Sequence, residues 1–327
     1  MMPNAQGDAP IDVPLLTGTE TFFIVWNRGS GSHDADDLRA TIERVLTEAG
    51  RRYQLMPVDG GRKLPQTARQ ALEAARREGG VVVACGGDGT LSAVARTVLG
   101  SGVPFGILPQ GTFNYFGRTY GIPQDAEIAT RCLLQAHVEP VQVGMLNEQA
   151  FLVNASLGLY PQLLEDREAY KQRYGRSRWV ALWSGLVTLL RGARRLALQL
   201  DSSGVRQTLR TPTLVVGNNA LQLRRIGIAE ADALGHGQLV AMTLRPVSTP
   251  ALYGLLVRGL LSRLGEAENV ISFPFDHMTV RLGRRRRDIK VAMDGEICWM
   301  RAPLEFKVAP QPLLLLVPPE QQRVEPA

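Results

Sequence analysis

Gly86, Gly87, Asp88, Gly89 and Thr90 follow directly on the apolar run Val81, Val82, Val83, Ala84 and Cys85. Glycines in such a turn remove the Cβ atoms that would hold a ligand off the backbone and allow positive φ. Behind the turn, Leu91, Val94, Ala95, Val98 and Leu99 recur at helical spacing, with Ser92 and Ala93 among them. The stretch reads as a buried parallel strand, a glycine turn, and a helix whose first amides could receive phosphate oxygens. A carboxylate beside bound phosphates is repelled unless a hard divalent cation lies between them, so Asp88 reads as acting through Mg²⁺. Without a ligand, the same residues would make a tight strand-to-helix turn with Asp88 as its cap.

Two more small polar loops accompany it. Asn27, Arg28, Gly29, Ser30, Gly31 and Ser32 follow an apolar strand over residues 21–26, and Gln110, Gly111, Thr112, Phe113 and Asn114 follow one over residues 104–108. Far downstream, Asp294 and Glu296 bracket Gly295. At a spacing of two, the carboxylates would point the same way on an extended chain, one to accept a proton and the other to hold a metal. An Asp-Gly pair is equally the turn of a β-hairpin.

The elements that must position these residues change character along the chain. Up to about Val143, strands alternate with helices: a helix capped by Asp34 or Asp36 with Leu38, Ile42, Val45 and Leu46 on one face, a strand at 53–58, and a helix at 66–78. That alternation implies a parallel sheet, whose ligands bind at the C-terminal edge where the three loops would gather. Beyond Val143, short strands dominate, at 151–157, 196–201, 209–217, 239–244, 278–282, 289–293 and 304–308, with helical inserts at 178–195 and 249–264. They predict an antiparallel sandwich or open barrel. The division expected is a loose tail at 1–19, an α/β nucleotide-binding domain at 20–143 and a β-rich substrate domain at 144–308, with residues 309–320 returning to the first domain.

Composition narrows the partners. The 327 residues carry a formal net charge of +6 and are 45% hydrophobic and 21% charged, an ordinary soluble balance that favours anionic ligands. No nucleic-acid-binding module accompanies that charge, so nucleic acid is not expected as a partner. The cysteines, Cys85, Cys132 and Cys298, are far apart and show no metal-ligand spacing, which points to reduced thiols and a cytoplasmic setting. The most apolar stretch, at 179–190, is shorter than the roughly 20 residues that a membrane span needs. Membrane contact would then be peripheral. Trp179, Leu182, Trp183, Leu186, Leu189 and Leu190 form a helical stripe that reads first as core and second as an acyl-chain groove, and Arg284, Arg285, Arg286 and Arg287 make a basic hairpin tip suited to an anionic leaflet. An exposed edge strand could support a homodimer.

The ordered set Gly86-Gly87-Asp88-Gly89-Thr90, Pro109-Gln110-Gly111-Thr112-Phe113-Asn114 and Asp294-Gly295-Glu296, with Asn27 to Gly31 and Asn218-Asn219, resembles the bacterial diacylglycerol kinase catalytic-domain family, lipid kinases related to sphingosine kinases. The resemblance implies an ATP-binding α/β domain, a β-rich second domain and an active site in the cleft between them. It implies that Asn27, Arg28, Gly29, Ser30, Gly31, Gly86, Gly87, Asp88, Gly89, Thr90, Leu91, Ser92, Ala93, Gly111, Thr112 and Asn114 surround ATP. Asp88 and Glu296 would serve the catalytic Mg²⁺, and Asp294 would be the general base for the hydroxyl of a lipid alcohol, giving the protein a place in phospholipid metabolism. Two departures stand out. Tyr115 follows Asn114 where the family often has aspartate, and Leu234-Gly235-His236-Gly237 stands where members with a structural Mg²⁺ usually read Asp-Asp-Gly. Histidine is a poor ligand for Mg²⁺, so that second site is expected to be absent or altered. NAD kinase and phosphofructokinase share related glycine turns but not the later motifs; a non-catalytic nucleotide- or lipid-binding homologue is the remaining alternative.

Overall fold

The computed structural model describes residues 13–29, 35–111, 113–159, 161, 196–202, 205–245, 269–283 and 288–324. In chain order the first elements are β1 (Phe22–Asn27), α1 (Ala35–Glu48), β2 (Tyr53–Val58), α2 (Leu64–Glu78), β3 (Val81–Gly86), α3 (Asp88–Val98), β4 (Phe105–Pro109), α4 (Tyr115–Thr119), α5 (Ala126–Gln135) and β5 (His137–Val141). Then follow β6 (Gly144–Leu146), β7 (Gln149–Phe151), β8 (Asn154–Gly158), β9 (Leu196–Ser202), β10 (Val205–Thr211), β11 (Thr213–Gly217), α6 (Ala220–Arg225), a 3-10 helix (Ala229–His236) and β12 (Leu239–Leu244). The last are β13 (Val270–Phe275), β14 (His277–Leu282), β15 (Asp288–Met293), β16 (Glu296–Arg301), β17 (Leu304–Val308) and β18 (Leu313–Val317). Two compact units result, one of the described residues up to Val141 together with those from Gln311 onward, the other Gln142–Pro310.

The first unit is built on a six-stranded sheet in the order β2-β1-β3-β4-β18-β5, parallel throughout except for β5, which runs antiparallel to β18. Residues of β3, β4 and β18 are buried along their whole length, as strands covered on both faces must be. Phe22, Ile24, Trp26, Val81, Val83 and Cys85 form one core with Leu38, Ile42 and Leu46 of α1 and Ala129 and Leu133 of α5. Alternation turns Phe23, Val25, Val82 and Ala84 to the other face, and α2 and α3 pack on each other and on these strands. Strand order reverses between β1 and β3, so the loops that leave their carboxyl ends diverge there and open a crevice.

In the second unit, two six-stranded sheets, β10-β9-β14-β17-β6-β7 and β13-β12-β11-β8-β15-β16, are antiparallel at every pairing. Leu198, Met278, Val280 and Phe306 of one sheet share a core with Leu157, Leu214, Ala241 and Val291 of the other. The α/β sheet and the antiparallel sandwich expected from the patterning are therefore both present. Details differ where proline or a turn intervenes. Pro212 separates β10 from β11, where one strand is expected, and residues 152 and 153 separate β7 from β8. The expected helical inserts, the apolar stripe they carry and Arg284 to Arg287 lie outside the described residues. Among the described residues, no helix is long and apolar enough to cross a membrane.

Candidate active site

In the first unit the site is built around the start of α3. Gly87 occupies the N-cap in extended conformation and makes no side-chain cap, and Asp88, Gly89 and Thr90 supply the first amides of the helix. The macrodipole adds partial positive charge at the same point. Gly86 is glycine because of Thr90: a Cβ there would lie 2.7 Å from the Thr90 hydroxyl oxygen, which tucks back over the strand end. Asn27 Nδ2 donates to that hydroxyl at 2.8 Å, while Asn27 Oδ1 accepts the Gly29 amide at 3.2 Å. Asn27 thus ties the loop after β1 to the turn after β3, across the reversal in strand order.

The loop after β4 is fastened to the same turn. Gln110 N donates to Gly86 O at 2.8 Å, and Asn114 N donates to Asp88 Oδ2 at 3.1 Å. Asn114 is 1% exposed and left-handed at φ 45°, and its amide spans the loop: Oδ1 accepts Gly111 N at 3.0 Å and Nδ2 donates to Gly111 O at 2.6 Å. Its side chain is thereby committed to the loop it shapes. Phe113, half exposed, stacks in parallel on Tyr115 with ring centroids 5.8 Å apart. Arg28 is exposed beside Trp26 and Asp59. Leu91 and Ser92 are buried in α3 and Ala93 is half-buried. Ser30, Gly31 and Thr112 lie outside the described residues. The Cys85 thiol, next to the end of β3, is fully buried, and burial pushes its pKa up to about 12, which removes it from nucleophilic chemistry.

The second unit carries its own polar cluster. Asp294 and Gly295 form the two-residue turn of the β15–β16 hairpin, both at positive φ, with Met293 paired to Glu296. The chain therefore does not stay extended through Asp294-Gly295-Glu296, and the premise that the two carboxylates share one direction fails for that reason. Glu296 is exposed, whereas Asp294 is half-buried and turned onto the segment between β7 and β8. Asp294 Oδ2 accepts Leu152 N at 2.9 Å, and Oδ1 accepts Val153 N at 2.8 Å and Asn154 N at 3.2 Å. On the other side of that segment, Asn218 Nδ2 donates to Leu152 O at 3.1 Å and Asn218 N to Val153 O at 2.8 Å. Asn219 caps α6 by accepting Gln222 N at 2.9 Å, and Gln222 Oε1 accepts Asn154 Nδ2 at 2.9 Å. Gln142, Asn154 and Gln222 are not among the residues that spacing suggests; Asp294 and the polar pair Asn218-Asn219 mark this cluster in the sequence. His236 is exposed, 3.2 Å from Asp232 O through Nδ1, while Asp232 pairs with Arg224 at 2.8 Å.

Comparison with known proteins follows the same line. Residues 21–146 match the diacylglycerol kinase catalytic domain. A diacylglycerol kinase of Staphylococcus haemolyticus is 32% identical over 142 residues, 43% of this chain and 42% of that protein. An uncharacterised protein of Synechocystis is 24% identical over 94% of this chain and 72% of its own length. The crystal structure of a diacylglycerol kinase from Bacillus anthracis superposes with a TM-score of 0.66 at 17% identity, covering 92% of this chain and 97% of that one. Residues 21–146 are thus similar to the diacylglycerol kinase catalytic domain, and the fold is that of the bacterial diacylglycerol kinase structures.

Proposed function

We propose that the protein is an ATP- and Mg²⁺-dependent lipid kinase that transfers the γ-phosphoryl group to the hydroxyl of a lipid such as diacylglycerol or a sphingoid base. The observation that carries this reading is the glycine turn that opens α3 at the reversal of strand order, with Asp88 in the first turn of the helix and two further loops tied to it. Its donor set suits an anionic phosphate chain: amides of Asp88, Gly89 and Thr90 under a glycine N-cap. Asn27, Arg28, Gly29, Ser30, Gly31, Gly86, Gly87, Leu91, Ser92, Ala93, Gly111, Thr112 and Asn114 would complete the nucleotide site, several of them by shaping the loops.

Among the described residues no group of three or more His, Cys, Asp or Glu could hold a metal by itself. Mg²⁺ keeps several waters and is commonly held by one or two carboxylates with substrate phosphates, and Asp88 supplies such a carboxylate in the first turn of α3. Asp88 and Glu296 would hold it, and when bound it neutralises charge on the phosphoryl oxygens. Asp294 would take the proton of the lipid hydroxyl as the new oxygen–phosphorus bond forms and the bond to ADP breaks. Peripheral contact with an anionic membrane surface at the inner face of the cytoplasmic membrane would bring the lipid within reach, and a homodimer is compatible with the open sheet edges.

The test is phosphate incorporation from ATP into diacylglycerol and sphingosine in mixed micelles, with NAD as a soluble comparator. Asp294→Asn is the informative variant, because asparagine tolerates a left-handed φ but cannot act as the base. Turnover should fall 10²- to 10⁴-fold with ATP affinity kept. Transfer to NAD alone, or full turnover in the variant, would sink the respective assignment.

A further inference from the structure

The main-chain groups of residues 152, 153 and 154 are all engaged. Their three amides point to Asp294, Leu152 O and Val153 O accept from Asn218, and Asn154 O accepts the Asp294 amide at 2.9 Å. A peptide group is planar, so the Leu152 carbonyl and the Val153 N–H move as one rigid body. The Asn218 Nδ2 bond to Leu152 O therefore sets the direction of the Val153 N–H, the donor of the shortest of the three bonds to the carboxylate. Likewise, the Asn218 main-chain bond to Val153 O sets the Asn154 N–H. Asn218 is itself held: its Oδ1 accepts Gln142 Nε2 at 2.8 Å, its Nδ2 also reaches Gln142 O at 3.3 Å, and Gln142 Nε2 is shared with Gln238 O at 3.0 Å.

We infer that Asn218, oriented by Gln142, is a positioning residue for phosphoryl transfer: it aims the peptide amides that lock the Asp294 carboxylate in one direction. The inference rests on the reading of Asp294 as the proton acceptor. It distinguishes Asn218 from a simple strand-end residue, since the bond at stake runs to a peptide plane whose other edge faces a reacting group. Groups one layer removed from a reacting ligand typically cost 10- to 100-fold when deleted, and a misplacement of about 1 Å has a similar effect.

The experiment is a kinetic double-mutant cycle on the full chain, with ATP and whichever of diacylglycerol and sphingosine the unmodified protein phosphorylates. Asn218→Ala should lower kcat about 10- to 100-fold with KM for ATP within twofold. Asn218→Asp, of the same shape but with an acceptor facing Leu152 O, should be no better. Gln142→Met, which leaves Asn218 in place and removes its orienting donor together with the bond to Gln238 O, should lose about 3- to 10-fold and guards against misfolding of the Asn218 variants. In an Asp294→Asn background, Asn218→Ala should change the residual kcat less than twofold, because the two act as one unit. A loss that persists in full in that background, or near-normal kcat in both Asn218→Ala and Gln142→Met, overturns the positioning role while leaving the base in place. Full turnover in Asp294→Asn, or no transfer to either lipid, removes the base reading and this inference with it.

Discussion

Gly111 is constrained by its neighbours and not by its own φ. A Cβ added there would sit 2.6 Å from Asn114 Oδ1 and 3.1 Å from the Gly87 Cα, and backbone cannot swing away as a flexible side chain can. Gly111→Ala should push the loop after β4 off the turn after β3. With overpacking costing about 1–3 kcal/mol, ATP affinity measured by titration calorimetry should fall roughly 5- to 150-fold while the sandwich unit is untouched. Glu20 offers a second residue-scale outcome, on stability. It pairs with Arg51 at 3.3 Å, the two side chains 11% and 5% exposed, and accepts bonds from the Thr17 amide and hydroxyl and the Gly18 amide. Burial pushes its carboxyl up, but the Thr17 bonds and the Arg51 guanidinium outweigh it and hold the pKa below the usual range. The stability it contributes is present in full above the ordinary glutamate pKa and is lost as pH falls through the lower folded value. Glu20→Gln should cost about 2 kcal/mol at pH 7 in denaturant unfolding, with the gap to the unmodified protein closing in acid. The glycines and Asp88 were legible as a candidate phosphate turn because they stand between an apolar strand run and a helical repeat, since as residue types alone they are ordinary in a turn. Asn154, Gln142 and Gln222 were not, since a lone amide says nothing of the distant peptide or side chain it will meet.

At the scale of elements, periodicity carried most of the fold. The strand β3 and the face Leu91, Val94, Ala95 and Val98 of α3 stand where an apolar run and a helical repeat put them. Element ends were harder, because Pro212 and the residue pair before Asn154 interrupt ladders that an alternating pattern reads as continuous. β18 is the element whose position matters most for stability. It lies between β4 and β5, more than 170 residues after β5 in sequence, and its five side chains are all buried. Burying a Leu or Val side chain contributes about 1.5–3 kcal/mol, so the strand accounts for about 7–15 kcal/mol before ordering costs, as much as a whole domain's net stability. A chain ending at Pro310 should therefore lose cooperative folding of its first unit. Limited proteolysis would show cleavage within residues 22–135 at protease levels that leave the full chain intact; equal resistance would mean that the sheet closes without β18.

For the whole molecule the relevant quantity is charge and where it is concentrated. A net charge of +6 attracts the protein weakly to any anionic surface, and at physiological salt such attraction is screened beyond about 8 Å. A cluster acts differently from a sum. Arg284, Arg285, Arg286 and Arg287 are consecutive, and at about 1 kcal/mol each near an anionic leaflet they would supply about 4 kcal/mol, a dissociation constant on the order of 1 mM. That strength would suit the proposed lipid kinase, which would have to leave the membrane after each encounter. The molecule contains its own control: Arg62, Arg69, Arg76 and Arg77 are exposed on and just before α2, spread over several turns. Changing either set of four to glutamine lowers the formal charge from +6 to +2. If overall charge governs association, the two variants should lose equal binding to vesicles of phosphatidylserine and phosphatidylcholine. Our expectation is that only the change at 284–287 does so, several-fold at physiological salt and with ATP affinity unaltered, because there only four closely spaced charges lie within one screening length of the same lipid headgroups.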